Sequence, residues 1–202
     1  MPIDMRQLYF GAKVLSTGEN PYNDHALKQM WTQYMGHSAK LYPLPGAPEN
    51  YLLYPPHAIF ALSFLTPIFS WNEFGNFTYL LHSILVLLAG IFLVKGRSKT
   101  DTLLIILLLL GFKSILTAWI LGNPLLSSFF FLTIIMAFRE KISPLLKGFL
   151  LFMAALKPTV ALPFVLFFLA DKQYRTMLYF VFFGLVVYGV MALSQGIEFH
   201  LQ

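Results

Sequence analysis

From residue 51 onward the chain is a series of long apolar runs separated by short basic clusters, and few folds accept that arrangement. The runs cover roughly 51–71, 77–94, 102–121, 124–138, 145–170 and 177–193. A helical crossing of a bilayer takes about 20 predominantly apolar residues. Runs 77–94 and 102–121 reach that length, and 177–193 reaches it with its flanks. Run 124–138 is short but can extend through Leu121-Gly122-Asn123-Pro124. Run 145–170 is too short for two crossings, and Lys157-Pro158 breaks its middle. Composition points the same way. The chain is 57% hydrophobic and only 11% charged, against about 25% charged in ordinary soluble chains. With no cysteine, a disulfide scaffold is excluded. With 21 Phe, 10 Tyr and 3 Trp, so is disorder. The expected fold class is an all-α polytopic membrane protein.

The net charge of +5 is not spread evenly. Residues 1–50 balance Arg6, Lys13, Lys28 and Lys40 against Asp4, Glu19, Asp24 and Glu49. The excess lies in Lys95/Arg97/Lys99, Arg139/Lys141/Lys147 and Lys172/Arg175, with Lys113 and Lys157 inside apolar runs. Basic clusters between apolar segments read as cytoplasmic loops. They do not form the single basic face that a nucleic-acid partner requires. With all three clusters inside, the 101–138 hairpin places Gly122-Asn123 outside. Run 145–170 must then leave and return on one side, as a re-entrant pair of half-helices with Lys157 near the outer tip. Pro55-Pro56 and Pro67 disfavour one straight helix in 51–71, which is expected to dip into the membrane and return.

Residues 1–50 form a separate polar head, followed by a transmembrane bundle of about five or six hydrophobic segments over 51–202. The opening MPIDMRQLYFG lacks the apolar stretch of a signal peptide. Either the head is cytoplasmic or a span precedes it. Helical spacing over 4–16 aligns Met5, Leu8, Tyr9, Ala12 and Leu15 on one stripe, with Arg6 and Lys13 off it. Gly18 ends this helix, and Asn20-Pro21-Tyr22-Asn23 is a turn. A second helix is predicted over 24–34, with Asp24 as its cap. LYPLPGAPEN (41–50) is a loop. Two short amphipathic helices are too few for a core of their own, so the head is expected to lie on the membrane surface or on the rest of the protein.

Several residues invite a chemical reading. Asp4 shares a stripe with Leu8, Gly11 and Leu15. It is either a carboxylate favoured by its helix N-terminus or a general base at the membrane surface. Lys157 lies ten residues after Lys147 in an apolar run, about 15 Å along a helix. It either reaches up to the interface or contacts an anion, and the expense of an intramembrane charge favours the second reading. Pro158, which lacks an N–H, breaks the helix beside it. Lys113 carries the same argument more weakly. Tyr54 and His57 in Tyr54-Pro55-Pro56-His57 open an apolar run, where a Tyr also serves as an interfacial belt residue. The five histidines show no metal-ligand spacing, and no phosphate loop, HExxH or nucleophile elbow occurs.

Four stretches line up in order: DMRQLYFGAKVLSTGENPY (4–22), YPPHAIFALSFLTPI (54–68), LGNPLLSSFFFLTIIMAF (121–138) and LKGFLLFMAALKPTVALPFVLFFLADKQYR (146–175). The series resembles glycosyltransferase family 87, the polyprenyl-phosphate-mannose-dependent mannosyltransferases of the GT-C membrane fold. The resemblance implies a GT-C-like partial bundle with an extracytoplasmic head and broken helices. It implies that Asp4, by its spacing to Gly18-Glu19-Asn20-Pro21-Tyr22, is the catalytic base. Lys157, with Lys113, would bind the donor phosphate, and Tyr22, Tyr54, His57 and Asn123 would line the substrate site. Asn123 stands where the family often has Gln. Met5 follows Asp4, so the Asp-Glu pair of the protein O-mannosyltransferases is absent. Members begin with a span before the Asp and are longer, which makes this chain an expected fragment.

The implied partners are a polyprenyl-phosphate sugar donor as co-substrate, a lipid or glycan acceptor, and membrane lipids. No cofactor, metal or nucleic acid is expected. The implied setting is a bacterial or archaeal plasma membrane with the head outside. Two other classes compete. A transporter would line its path with Lys157 and the broken helices, but runs 51–71 and 145–170 share no matching polar residues. A non-catalytic scaffold leaves the polar head without a use.

Overall fold

The structure is a computed structural model that describes residues 3–35, 55–111 and 113–195. Among the described residues the chain is all-helical. In order the helices are α1 (Ile3–Ser16), α2 (Asp24–Met35), α3 (Pro56–Ser63), α4 (Trp71–Val94), α5 (Lys99–Gly111), α6 (Lys113–Leu121), α7 (Leu125–Ala137), α8 (Pro144–Ala154), α9 (Pro158–Ala170) and α10 (Tyr174–Gln195). Residue 112, between α5 and α6, lies outside the described residues. So do the 41–50 loop and Tyr54. The chain divides into two compact units, residues 1–76 with 188–202, and residues 77–187.

In the first unit α1 packs against α3 and α2. The predicted stripe is only part of its buried surface. Leu8, Tyr9, Phe10, Ala12, Val14 and Leu15 are all buried, and so is Gln7. Of the two places expected for this helix, the membrane surface or the rest of the protein, α1 takes the second, packed on α3 and α2. The residues off the stripe allow this, since Phe10, Gly11 and Val14 are also free of charge and buried, with the Phe10 ring against Trp71 and the Tyr9 ring against Trp71 and Phe74. Two polar bonds tie α1 to the 64–70 turn. The Tyr9 hydroxyl donates to Phe69 O (3.1 Å) and Lys13 Nζ to Thr66 O (3.4 Å). The cap of α2 is corrected by one residue. Asn23 Oδ1 accepts from the His25 and Ala26 backbone N–H groups (2.9 and 3.4 Å), the bonds a capping side chain makes to the first turn.

α4 starts at Trp71, earlier than the apolar run alone predicts. Ser70 and Glu73 explain this, because Glu73 Oε2 accepts from the Ser70 N–H (2.8 Å) and hydroxyl (2.6 Å). This reciprocal box satisfies free donors at a helix start. Ser98 and Asp101 repeat the device at α5, with Ser98 Oγ donating to Asp101 Oδ2 (2.9 Å) and accepting from the Asp101 N–H (3.1 Å). α4 has 24 residues and α10 has 22, roughly 36 and 33 Å at 1.5 Å per residue. These two helices are long and apolar enough to cross a membrane, and most of their apolar residues are not buried within the protein.

In the second unit, Trp119 Nε1 donates to Ser83 Oγ (3.0 Å) and the Tyr79 hydroxyl to Ile120 O (3.0 Å), which joins α4 to α6. Leu132, Ile135, Leu150, Leu151, Ala154, Ala161 and Phe168 make one core between α7, α8 and α9. α8 and α9 are the two half-helices predicted for run 145–170. Ser143 Oγ accepts from Leu146 N–H to cap α8, and Pro144 and Pro158 each sit in a first turn, where a missing N–H does no harm. At 11 and 13 residues they reach roughly 16–20 Å, well under a bilayer core.

Candidate functional site

The α8–α9 hairpin turns at Ala155, Leu156 and Lys157. Lys157 has extended backbone (φ −122°, ψ 90°) and precedes the first turn of α9. Its N–H donates to Ser128 Oγ (3.2 Å) and Ala154 O (3.3 Å), and its carbonyl accepts from Val160 (2.9 Å) and Ala161 (3.2 Å). Ser128 is fully buried on α7. Sequence reasoning misses it, because Ser127-Ser128 within an apolar run has no distinguishing mark. A buried hydroxyl aimed at a backbone N–H fixes the tip of the hairpin, because leaving either group unpaired costs about 1–3 kcal/mol.

Asn123 sits in the turn between α6 and α7. Its Oδ1 accepts from the Leu125 N–H (2.9 Å), and its own N–H donates to Ala118 O (2.8 Å). The carboxamide therefore closes a turn onto the backbone two residues on, at the start of α7, a task its short side chain performs well. Ser128 lies five positions along from Asn123, so the structure brings the Asn123 turn and the Lys157 tip to the same end of α7. Lys113 is exposed at the opposite end of α6, nine residues and roughly 13 Å from that turn.

In the first unit the structure gathers Tyr22, His57 and Tyr188. His57 is 8% exposed on α3, and its ring meets that of Tyr188 edge-on at 6.2 Å between centroids. Tyr22 follows the Asn20 turn, whose Oδ1 accepts from the Tyr22 N–H (2.9 Å). The residue is 41% exposed overall. Burial of its phenol end, and then the neighbouring Tyr188 phenol, raise its proton affinity well above that of an ordinary tyrosine. Tyr22 is therefore a neutral hydrogen-bonding group at any physiological pH. Sequence reasoning misses Tyr188 as well, because a Tyr near the end of an apolar run looks like a lipid-facing residue.

Asp4 lies in the first turn of α1, and the positions that share its stripe, Leu8, Gly11 and Leu15, are buried. Its carboxylate lies outside the described side chains. Asp4 belongs to the first unit and Lys157 to the second. Beyond this helix, His25, Lys28, Gln29, Thr32 and Gln33 on α2 line an open cleft of about 820 Å³. Imidazole, ammonium, amide and hydroxyl groups at helical spacing suit a ligand rich in hydroxyls. Among the described residues no three of His, Cys, Asp or Glu cluster as metal ligands would.

The family model for glycosyltransferase family 87 matches residues 51–199. The matched stretch holds Tyr54, His57, Lys113, Asn123, Ser128 and Lys157, while Asp4 and Tyr22 precede it. No curated protein and no solved structure matches the chain.

Proposed function

The chain belongs to glycosyltransferase family 87, and from that premise we propose that it is a GT-C transferase acting at the extracytoplasmic face of a membrane. It moves a hexose, mannose by family, from a polyprenyl-phosphate donor to an acceptor hydroxyl. The family match carries this reading. The Lys157 tip, braced by Ser128 at the end of a half-length hairpin, supports it. Such a hairpin carries a cation part-way into a bilayer, where a lipid phosphate can reach it.

The reaction needs a base and a way to hold the leaving phosphate. Asp4 accepts the proton of the acceptor hydroxyl. The acceptor oxygen bonds to the anomeric carbon as the bond to the phosphate oxygen breaks, with inversion. The phosphate leaves with the electron pair, and Lys157, aided by Lys113, stabilises its charge. The α2 cleft offers the acceptor a polar wall, and Tyr22, Tyr54 and His57 complete the substrate surface. Asn123 acts through the turn it closes.

The test begins with sidedness. Ser38→Cys in this cysteine-free chain is expected to react with an impermeant maleimide in intact cells. Membranes carrying Asp4→Asn should then lose transfer from a polyprenyl-phosphate sugar by roughly 10²–10⁴-fold, the usual worth of a general base. Lys157→Gln should weaken donor use. Protection of the introduced thiol until lysis, or full activity in Asp4→Asn, would overturn the reading.

A further inference from the structure

Three helices end in the same way. At Gly18 (φ +82°) the N–H donates to Leu15 O (3.0 Å) and the next N–H to Val14 O (3.3 Å). At Gly122 (φ +63°) the pair is Trp119 O (3.1 Å) and Ala118 O (2.8 Å). At Lys172 (φ +55°) it is Leu169 O (3.1 Å) and Phe168 O (3.0 Å). Each pair satisfies free carbonyls through a left-handed residue, a place that glycine fills without strain. A side chain there crowds the backbone. Among the described non-glycine residues, Lys172 is the one with positive φ.

A strained residue persists where its surroundings hold it. Arg139 pairs with Asp171, and Gln173 Nε2 also donates to Asp171 Oδ2 (2.7 Å). Lys147, 9% exposed, donates from Nζ to Gln173 Oε1 (3.4 Å). These bonds join the 138–143 turn to the 171–173 turn. Around them Lys141, Lys172 and Arg175 are exposed. Asp171 is already taken by Arg139, and Glu140 lies 3.7 Å from the same guanidinium. Lys141 and Lys172 stand in these two turns and Arg175 in the first turn of α10, and the helices that lead away expose apolar side chains, Leu145 and Leu146 on α8, and Tyr174 and Leu178 on α10.

We propose that Lys141, Lys172 and Arg175 seat an anionic phospholipid, its phosphate held by the cations and its acyl chains laid along α8 and α10. Charge complementarity selects the anionic head. The apolar flank, continuous with the exposed surface of α10, selects a lipid over a soluble anion. On this proposal the charge of Lys172 serves the site at a helix end where glycine would be free of strain. The inference rests on the membrane placement above and on no step of transfer chemistry.

The experiment follows thermal unfolding of the full chain in a neutral detergent, with phosphatidylglycerol or phosphatidylcholine added at equal mole fraction. The unmodified protein should gain several degrees more from phosphatidylglycerol. Lys172→Gly should start roughly 2–4 °C higher, since the strain is relieved, yet lose roughly a third of the lipid gain, one cation of three. Lys141→Gln/Lys172→Gly/Arg175→Gln should lose the gain entirely, and if that variant fails to fold, the single Lys172→Gly result decides. Equal gains from both lipids would overturn the proposal. So would a full lipid gain in Lys172→Gly, or reproduction of the effect by inorganic phosphate at matched ionic strength. Absence of sugar transfer would sink the transferase reading and leave these lipid gains untouched.

Discussion

α1 carries more polar residues than α10, and the two helices are buried to opposite extents. α1 has 14 residues, includes Gln7 and Lys13, and hides most of its surface, with Phe10, Ala12 and Val14 at 0% exposure. α10 has 22 residues and a longer apolar run, yet Leu178, Val181, Phe182, Leu185 and Leu193 all stand exposed. In water the more apolar helix would be the one enclosed, because burying a Leu or Phe side chain is worth roughly 1.5–3 kcal/mol. The order is reversed here. An exposed apolar surface of this extent needs cover, and α10 is long enough for that cover to be a bilayer. α1 is too short to cross and is covered by protein. The contrast teaches that hydrophobicity orders these helices by length and surroundings, and not simply by depth in a core.

The contrast can be broken most forcefully at two positions. Phe10→Ala should cost about 3–5 kcal/mol by opening a cavity in a closed core, read as a lowered unfolding midpoint in detergent. Leu185→Ala, on the exposed side of α10, should change that midpoint far less. Leu185→Arg sharpens the point. It should reduce the fraction of chain that survives alkaline washing of membranes, because a charge at mid-span costs about 2.5–3.5 kcal/mol on insertion. Equal midpoints for Phe10→Ala and Leu185→Ala, or unchanged membrane retention in Leu185→Arg, would remove the distinction between the two helices.

A smaller effect is expected where α10 does pack closely. A Cβ on Gly148 of α8 would come within 2.6 Å of the Tyr179 Cβ and 2.8 Å of both the Phe180 nitrogen and the Thr176 oxygen. Two of these are backbone atoms and cannot swing aside. Gly148→Ala should therefore destabilise by about 1–3 kcal/mol through overpacking, whereas Gly184→Ala, with nothing near its added Cβ, should be neutral or better. A neutral Gly148→Ala midpoint would mean that α8 and α10 are not in contact there.

Much of this arrangement is legible in the sequence. Proline and glycine mark the breaks that the structure shows, at Gly18, Gly122 and Lys157-Pro158, because their backbone limits are local. Helix starts depart from expectation where side chains override the apolar pattern. Ser70/Glu73 and Ser98/Asp101 carry capping signals that lengthen α4 and α5 ahead of their apolar runs. Enclosure is not legible. A stripe of Met5, Leu8, Tyr9, Ala12 and Leu15 describes α1 equally well on a membrane surface or inside a core, and only long-range partners such as Trp71 and Phe74 decide. The same limit hides Ser128 and Tyr188. Each becomes notable through a residue 29 or more positions away, Lys157 for one and His57 for the other.

The smallest effect belongs to the link between the α7–α8 turn and the α9–α10 turn, where Arg139 meets Asp171 and Gln173. The hydrogen bond from Gln173, and then that from Arg139, hold the Asp171 carboxyl below its ordinary value of 3.8. A carboxyl lowered on folding adds stability that is fully present above that ordinary value. The contribution is lost as pH falls through the lowered one. The carboxylate is exposed, so the slope is shallow. Unfolding midpoints taken from about pH 5 to pH 2.5 should therefore fall more steeply in the unmodified protein than in Asp171→Asn, with the two curves drawing together at the acid end. Parallel curves would show that the Arg139–Asp171–Gln173 cluster contributes nothing to stability. The two turns it joins would then be held by Lys147 and by the packing of Gly148 against α10.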